Sequence, residues 1–169
     1  MPAGLKRTSS QLQITEKLTE SAANTFTEAT VNLPLNTLDR EVFVVTAVDV
    51  DCSPPDVDAA LNSQVAVSVS TTSRTSVGTI GDSQVLAVKY RDIKRGAAAG
   101  DVVAFEGSFG ETAAGDIEYV GIIATEDFNI QIAGINNASA KFANVRLFGY
   151  RATASSDVYS ALVQNELLG

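Results

Sequence analysis

Asp49, Asp51, Asp56 and Asp58 place four carboxylates along one short run of chain. Strand alternation sets Asp49 and Asp51 on one face, and oxygen donors spread over a strand end and the following loop are what a calcium or magnesium ion takes. The run lacks the glycine-containing spacing of a helix–loop–helix calcium site. A solvated strand end with its loop is the simpler reading of the same four residues. These acids, or Glu126 with Asp127, could also furnish the carboxylate pair of a glycosidase. However, the chain has no tryptophan, and no aromatic platform of the kind that holds a sugar accompanies them.

Other chemistry is restricted by what the chain lacks. With no histidine there is no Ser–His–Asp or Cys–His relay, and the commonest neutral metal ligand is missing. Cys52 is the sole cysteine, cannot close a disulfide within the chain, and reads as a partly buried or turn residue beside Ser53–Pro54–Pro55. Gly78–Thr79–Ile80–Gly81 and Gly107–Ser108–Phe109–Gly110 are too short to cradle a phosphate and read as turns. Asn137–Ala138–Ser139 reads as a chance match to the glycosylation pattern. No enzymatic activity and no cofactor are expected.

The basic residues are concentrated. Lys89, Arg91, Lys94 and Arg95 are four of the chain's twelve, and residues 96–130 then hold seven acids and no base. The cluster has three readings: an exposed strand end, a contact with an acidic surface on a neighbouring subunit such as the 101–118 region, or a weak contact with an encapsulated nucleic acid. A formal net charge of -8 argues against a broad nucleic-acid grip, which needs phosphate neutralisation by many cations.

The elements that would position these groups are strands. Valine, alanine, isoleucine and threonine dominate the apolar and β-branched content, and period-two alternation marks segments 25–33, 41–51, 64–71, 84–92, 101–106, 117–125, 128–133 and 143–154. The clearest are 41–51, 64–71 and 143–154. In 41–51, Val42, Val44, Thr46, Val48 and Val50 share a face by alternation, and the first half is apolar on both faces. Residues 106–115, with three glycines, read as a long turn, 72–81 as a loop, and 56–61 as a short helical turn. Ser155 or Ser156 can cap a helix over 156–167, with Tyr159, Leu162, Val163 and Leu167 as its apolar stripe. The fold expected is all-β: an eight-stranded antiparallel β-sandwich, for which a jelly roll is the commonest form and an immunoglobulin-type Greek key the competitor.

Two regions follow: an N-terminal arm over 1–24 and a sandwich domain over 25–169 that ends in the helix. The arm is polar, and Leu12, Ile14 and Leu18 within it are expected to meet a neighbouring subunit, as are Tyr159, Leu162 and Val163 on the helix. A polar arm, a sandwich without catalytic equipment, a terminal amphipathic helix and segregated charge together resemble a small single-jelly-roll viral capsid protein. That resemblance implies a structural, self-assembling subunit in a large homo-oligomer, located in a virion, with the arm lacing subunits and the loops at 72–81 and 106–115 on the shell surface. Here the arm offers only Lys6, Arg7 and Lys17 as cations, fewer than an RNA-packaging arm would carry. The alternative is a non-catalytic binding or adhesion module for carbohydrate or protein. No segment has the length of a membrane span, and without a signal-peptide pattern the location otherwise expected is the cytoplasm.

Overall fold

The computed structural model describes residues 3–58, 60–98, 100–110 and 117–168. These residues form ten strands, β1 (Leu5–Arg7), β2 (Leu12–Thr19), β3 (Thr27–Asn32), β4 (Glu41–Cys52), β5 (Ser63–Ser70), β6 (Val85–Arg95), β7 (Val102–Phe109), β8 (Gly121–Ile123), β9 (Asp127–Ile135) and β10 (Phe142–Ala154), one α-helix, α1 (Ser156–Leu168), and a single 3-10 turn at Thr37–Asp39. They form two antiparallel five-stranded sheets packed as a sandwich. In the first, β10 lies between β4 and the N-terminal strands, with β8 beyond β4; in the second the order is β3-β9-β5-β6-β7. The chain passes repeatedly between the sheets: β1, β2, β4, β8 and β10 lie in the first, and β3, β5, β6, β7 and β9 in the second.

The long valine-rich strand β4 holds the first sheet together. It pairs with β10 over almost its whole length, and the register shifts between Phe148 and Gly149, where β4 carries one extra residue, Thr46. A one-residue bulge reverses which side chains face inward. Val48 and Val50 therefore share the main core with Phe43 and Val45, while Val42 and Val44 point to the opposite face. Gly149 sits at this shift because a β-carbon there would collide with the Phe43 ring and the Val44 carbonyl. The single alternating face expected for 41–51 is thus divided in two.

Between the sheets, Phe43, Val48, Val67, Ile130 and Leu147 are essentially inaccessible to solvent. On the outside of the first sheet a second cluster forms where α1 covers Val42, Val44, Tyr150 and Ala152 with Val158, Tyr159, Leu162 and Val163. The Ser155 carbonyl accepts the Tyr159 N–H at 2.9 Å, and the Ser155 N–H donates to the Gly4 carbonyl. At its far end α1 is anchored by Glu166, whose carboxylate accepts the backbone N–H groups of Ala124 and Thr125 at 3.0 and 2.9 Å. Burial pushes the Glu166 carboxyl up, against those hydrogen bonds. Leu167, expected in the apolar stripe, is 74% exposed, and Glu166 turns inward in its place.

The N-terminal segment differs from the expected arm. β1 pairs with residues 152–154 of β10 and β2 with residues 142–149, so both complete the edge of the chain's own first sheet. Leu18 is buried in the main core, and Leu12 and Ile14 pack against it. Their spacing is the strand period, one face of an edge strand whose other face and flanks are polar. Among the described residues the strands therefore number ten, where eight were expected. β7 runs on to Phe109 where a turn over 106–115 was expected, and residues 111–115 of that turn lie outside the described residues. Of the helical turn expected at 56–61, the described residues 56–58 and 60–61 are not helical, and Ala59 lies outside the described residues.

Removing residues 1–24 should therefore unfold the domain and not merely disperse an oligomer. Loss of buried Leu5 and Leu18, at about 1.5–3 kcal/mol each, and exposure of the β10 edge should lower the urea midpoint sharply, as read by circular dichroism.

Candidate functional site

The basic cluster lies on β6, and the hairpin to β7 determines its surroundings. Antiparallel pairing sets Arg91 opposite Glu106 and Lys89 opposite Ser108, a spacing at which cross-strand charges meet. Lys89 Nζ is 2.7 Å from Glu106 Oε1, and Arg91 Nε donates to Glu106 Oε2 at 2.9 Å. These two cations hold the Glu106 carboxyl below its ordinary range. Arg91 also lies 3.5 Å from Asp51 and donates to the Cys52 carbonyl. Arg95 donates to the Asp58 carbonyl. Lys94 is the most exposed of the four, 3.9 Å from Asp92. The acidic surface expected on a neighbouring subunit is, for Lys89 and Arg91, the chain's own β7.

The four aspartates expected to hold a cation are divided among separate partners. Asp49 is 3.9 Å from Arg146, and Asp51 faces Arg91. Asp56 accepts the Lys141 ammonium at 2.7 Å and the Ala138 N–H at 2.9 Å; the Lys141 hydrogen bond is the main cause of its lowered pKa. Asp58 accepts the Ala60 and Leu61 N–H groups, a loop-closing turn. Among the described residues no three carboxylate or thiolate side chains converge as a metal site would require.

The six residues expected at subunit contacts also find partners within the chain. Leu12, Ile14 and Leu18 belong to the main core, and Tyr159, Leu162 and Val163 to the cluster beneath α1. Cys52 is buried, and burial raises its thiol pKa. Asn137 is also buried: its side chain donates to the Gln64 and Ile135 carbonyls and accepts the Asp56 N–H. Its role is to tie loops together. Nearby, the buried Glu20 carboxylate accepts the N–H groups of Gly134 and Lys141 at 2.6 and 2.8 Å.

Two surfaces remain open. On the outside of the first sheet, away from α1, Thr15, Arg146 and Asp49 stand side by side in register, next to Asn144 and Asp51. With Val50 and Val145 they line a shallow hollow of about 380 Å³. On the outside of the second sheet β7 presents Val103, Phe105 and Phe109, which are 52%, 53% and 47% exposed, and Phe109 stacks on Tyr90 at 6.4 Å between ring centroids. Gly107 lies under the Tyr90 ring, where a β-carbon would collide with it. The alternation of Val103, Phe105, Gly107 and Phe109 was present in the sequence, but the glycines at 107 and 110 masked it as a turn.

Two substitutions check these pairings. Glu106→Gln frees Lys89 and Arg91 while changing stability by less than about 1 kcal/mol, since the pair is partly exposed; retention on a heparin column should move to higher salt. Asp56→Asn leaves the Lys141 ammonium, whose side chain is 7% exposed, facing a neutral amide oxygen in place of a carboxylate, which should cost about 1 kcal/mol, since Asp56 itself is partly solvated. Because the folded pKa of Asp56 lies below the 3.8 of a free carboxyl, the pair's contribution is complete above that pH and is lost as pH falls through the folded value. Urea titrations should find a shallower acid limb in the variant than in the wild type.

A scan against protein-family models finds no match for this chain, and a search of curated proteins finds none either.

Proposed function

We propose that the chain is a structural subunit that assembles with copies of itself into a shell of the viral-capsid kind. The observation that carries this reading is the strand order. The rows β2-β10-β4-β8 in the first sheet and β3-β9-β5-β6 in the second match those that two interlocked Greek keys would give, which supports reading the sandwich as a jelly roll with β1 and β7 added. The argument is one of fold, and fold alone hosts several functions. It gains support from an exposed apolar strand at a sheet edge, a feature that a monomer normally covers or charges. Lacing by residues 1–24 is not part of the proposal, since those residues complete the subunit itself.

Cargo has little to hold on this subunit. Lys89, Arg91 and Arg95 make contacts within the chain, so a genome inside such a shell would be enclosed more than gripped. A binding module is the second reading, and the hollow at Thr15, Asp49 and Arg146 is the feature in its favour.

Light scattering on the purified full-length chain across salt and pH, with electron microscopy of the same fractions, decides between them. Uniform closed particles are the expected result. A monomer under every condition would sink the shell and turn attention to ligands for that hollow.

A further inference from the structure

We infer that two copies of this chain join through the free edge of β7, pairing antiparallel about a two-fold axis and merging their second sheets into one. The inference extends the self-assembly reading by naming the surface used. It begins with unpaired backbone. Gly96 N donates to the Asp101 carbonyl at 3.0 Å, which sets the alternation along the hairpin: Val103, Phe105, Gly107 and Phe109 turn their N–H and C=O groups toward β6, and Val102, Ala104, Glu106 and Ser108 turn theirs outward. Among the described residues no strand lies on that side. Four residues with outward-facing donors and acceptors along an eight-residue edge are a template for another strand.

Charge identifies the occupant. The chain carries a formal -8, so two copies repel over most of their surface. Along β7 the sole ionisable side chain is Glu106; Lys89 and Arg91 pair with it from the neighbouring strand, and Asp51 beside Arg91 balances the second cation. An antiparallel copy therefore brings together two edges with no unbalanced charge. The other edges are less suited: β1 and β2 carry Lys6, Arg7, Glu16 and Lys17, β8 has three residues, and β3, the opposite edge of the second sheet, is six residues long, carries Glu28 and exposes no large apolar side chain. Joining at β7 would also bring the exposed Val103, Phe105 and Phe109 of each copy to the junction, where burying apolar surface favours association.

The test is sedimentation velocity over a wide concentration range on the wild type, Ala104→Pro and Phe105→Glu. The N–H that Ala104→Pro removes points away from β6, so the variant keeps the hairpin and blocks only an added strand. Phe105→Glu sets two new charges near the proposed axis from a side chain that is half exposed. Folding of each variant is checked by thermal melting, and Phe105→Glu decides the matter if Ala104→Pro does not fold. The expected result is a wild type of dimer mass or larger and folded variants that stay monomeric. Variants that assemble like the wild type would overturn the edge pairing and leave the shell reading standing. A wild-type dimer that never grows into particles would uphold the pairing and remove the shell. A monomeric wild type at every concentration would overturn both.

Discussion

The pairing of β4 with β10 is the constraint on which the rest depends. These are the two longest strands, and a single extra residue at Thr46 opposite Gly149 lets one strand serve two apolar surfaces. Below the bulge the valines face the other sheet. Above it Val42 and Val44 face outward and need cover, which α1 supplies. Without the bulge those side chains would stay on the core face, and α1 would have no apolar ground to dock on. The Glu166 carboxylate then fixes the helix by receiving two N–H groups that follow β8, groups that burial would otherwise leave unsatisfied.

Much of this was legible in the residues. Each of the eight segments read as strands contains one, because each combined β-branched residues with alternation, although within 117–125 only Gly121–Ile123 is strand. The terminal helix was legible from its cap and stripe, although Leu167 and Glu166 exchanged the roles that apolarity alone would give them. What escaped was the edge. Leu12, Ile14 and Leu18 follow the strand period, but Glu16 interrupts it and solvated neighbours on the open flank dilute it, so the segment reads as polar chain. Bulges are harder still, since nothing in the run from Glu41 to Cys52 tells alternation on one face from alternation that changes face midway.

The electrostatic reading was correct in its inventory and differed in its geometry. A block of cations followed by a block of acids looks like segregation when written in one dimension. Folded back through a hairpin, it becomes pairing, because β6 and β7 run in opposite directions and set Arg91 opposite Glu106. The aspartates show the reverse: Asp49, Asp51, Asp56 and Asp58 are close in sequence, yet the β4 end and the loop after it direct them to Arg146, Arg91, Lys141 and local backbone. Proximity along the chain over-predicted a cation site, and distance along the chain concealed several ion pairs.

The position of β10 also bears on how the chain reaches this structure. It lies between β4 and the N-terminal strands, yet it follows every other strand in sequence. As the chain leaves the ribosome, β1, β2 and β4 emerge without the strand that joins them, and the valine-rich β4 stays uncovered until the last strand arrives. Such long sequence separations make for slow folding and a prolonged exposure of sticky surface. Synthesis therefore imposes a waiting period on this fold, during which a holding chaperone would have most to shield at β4.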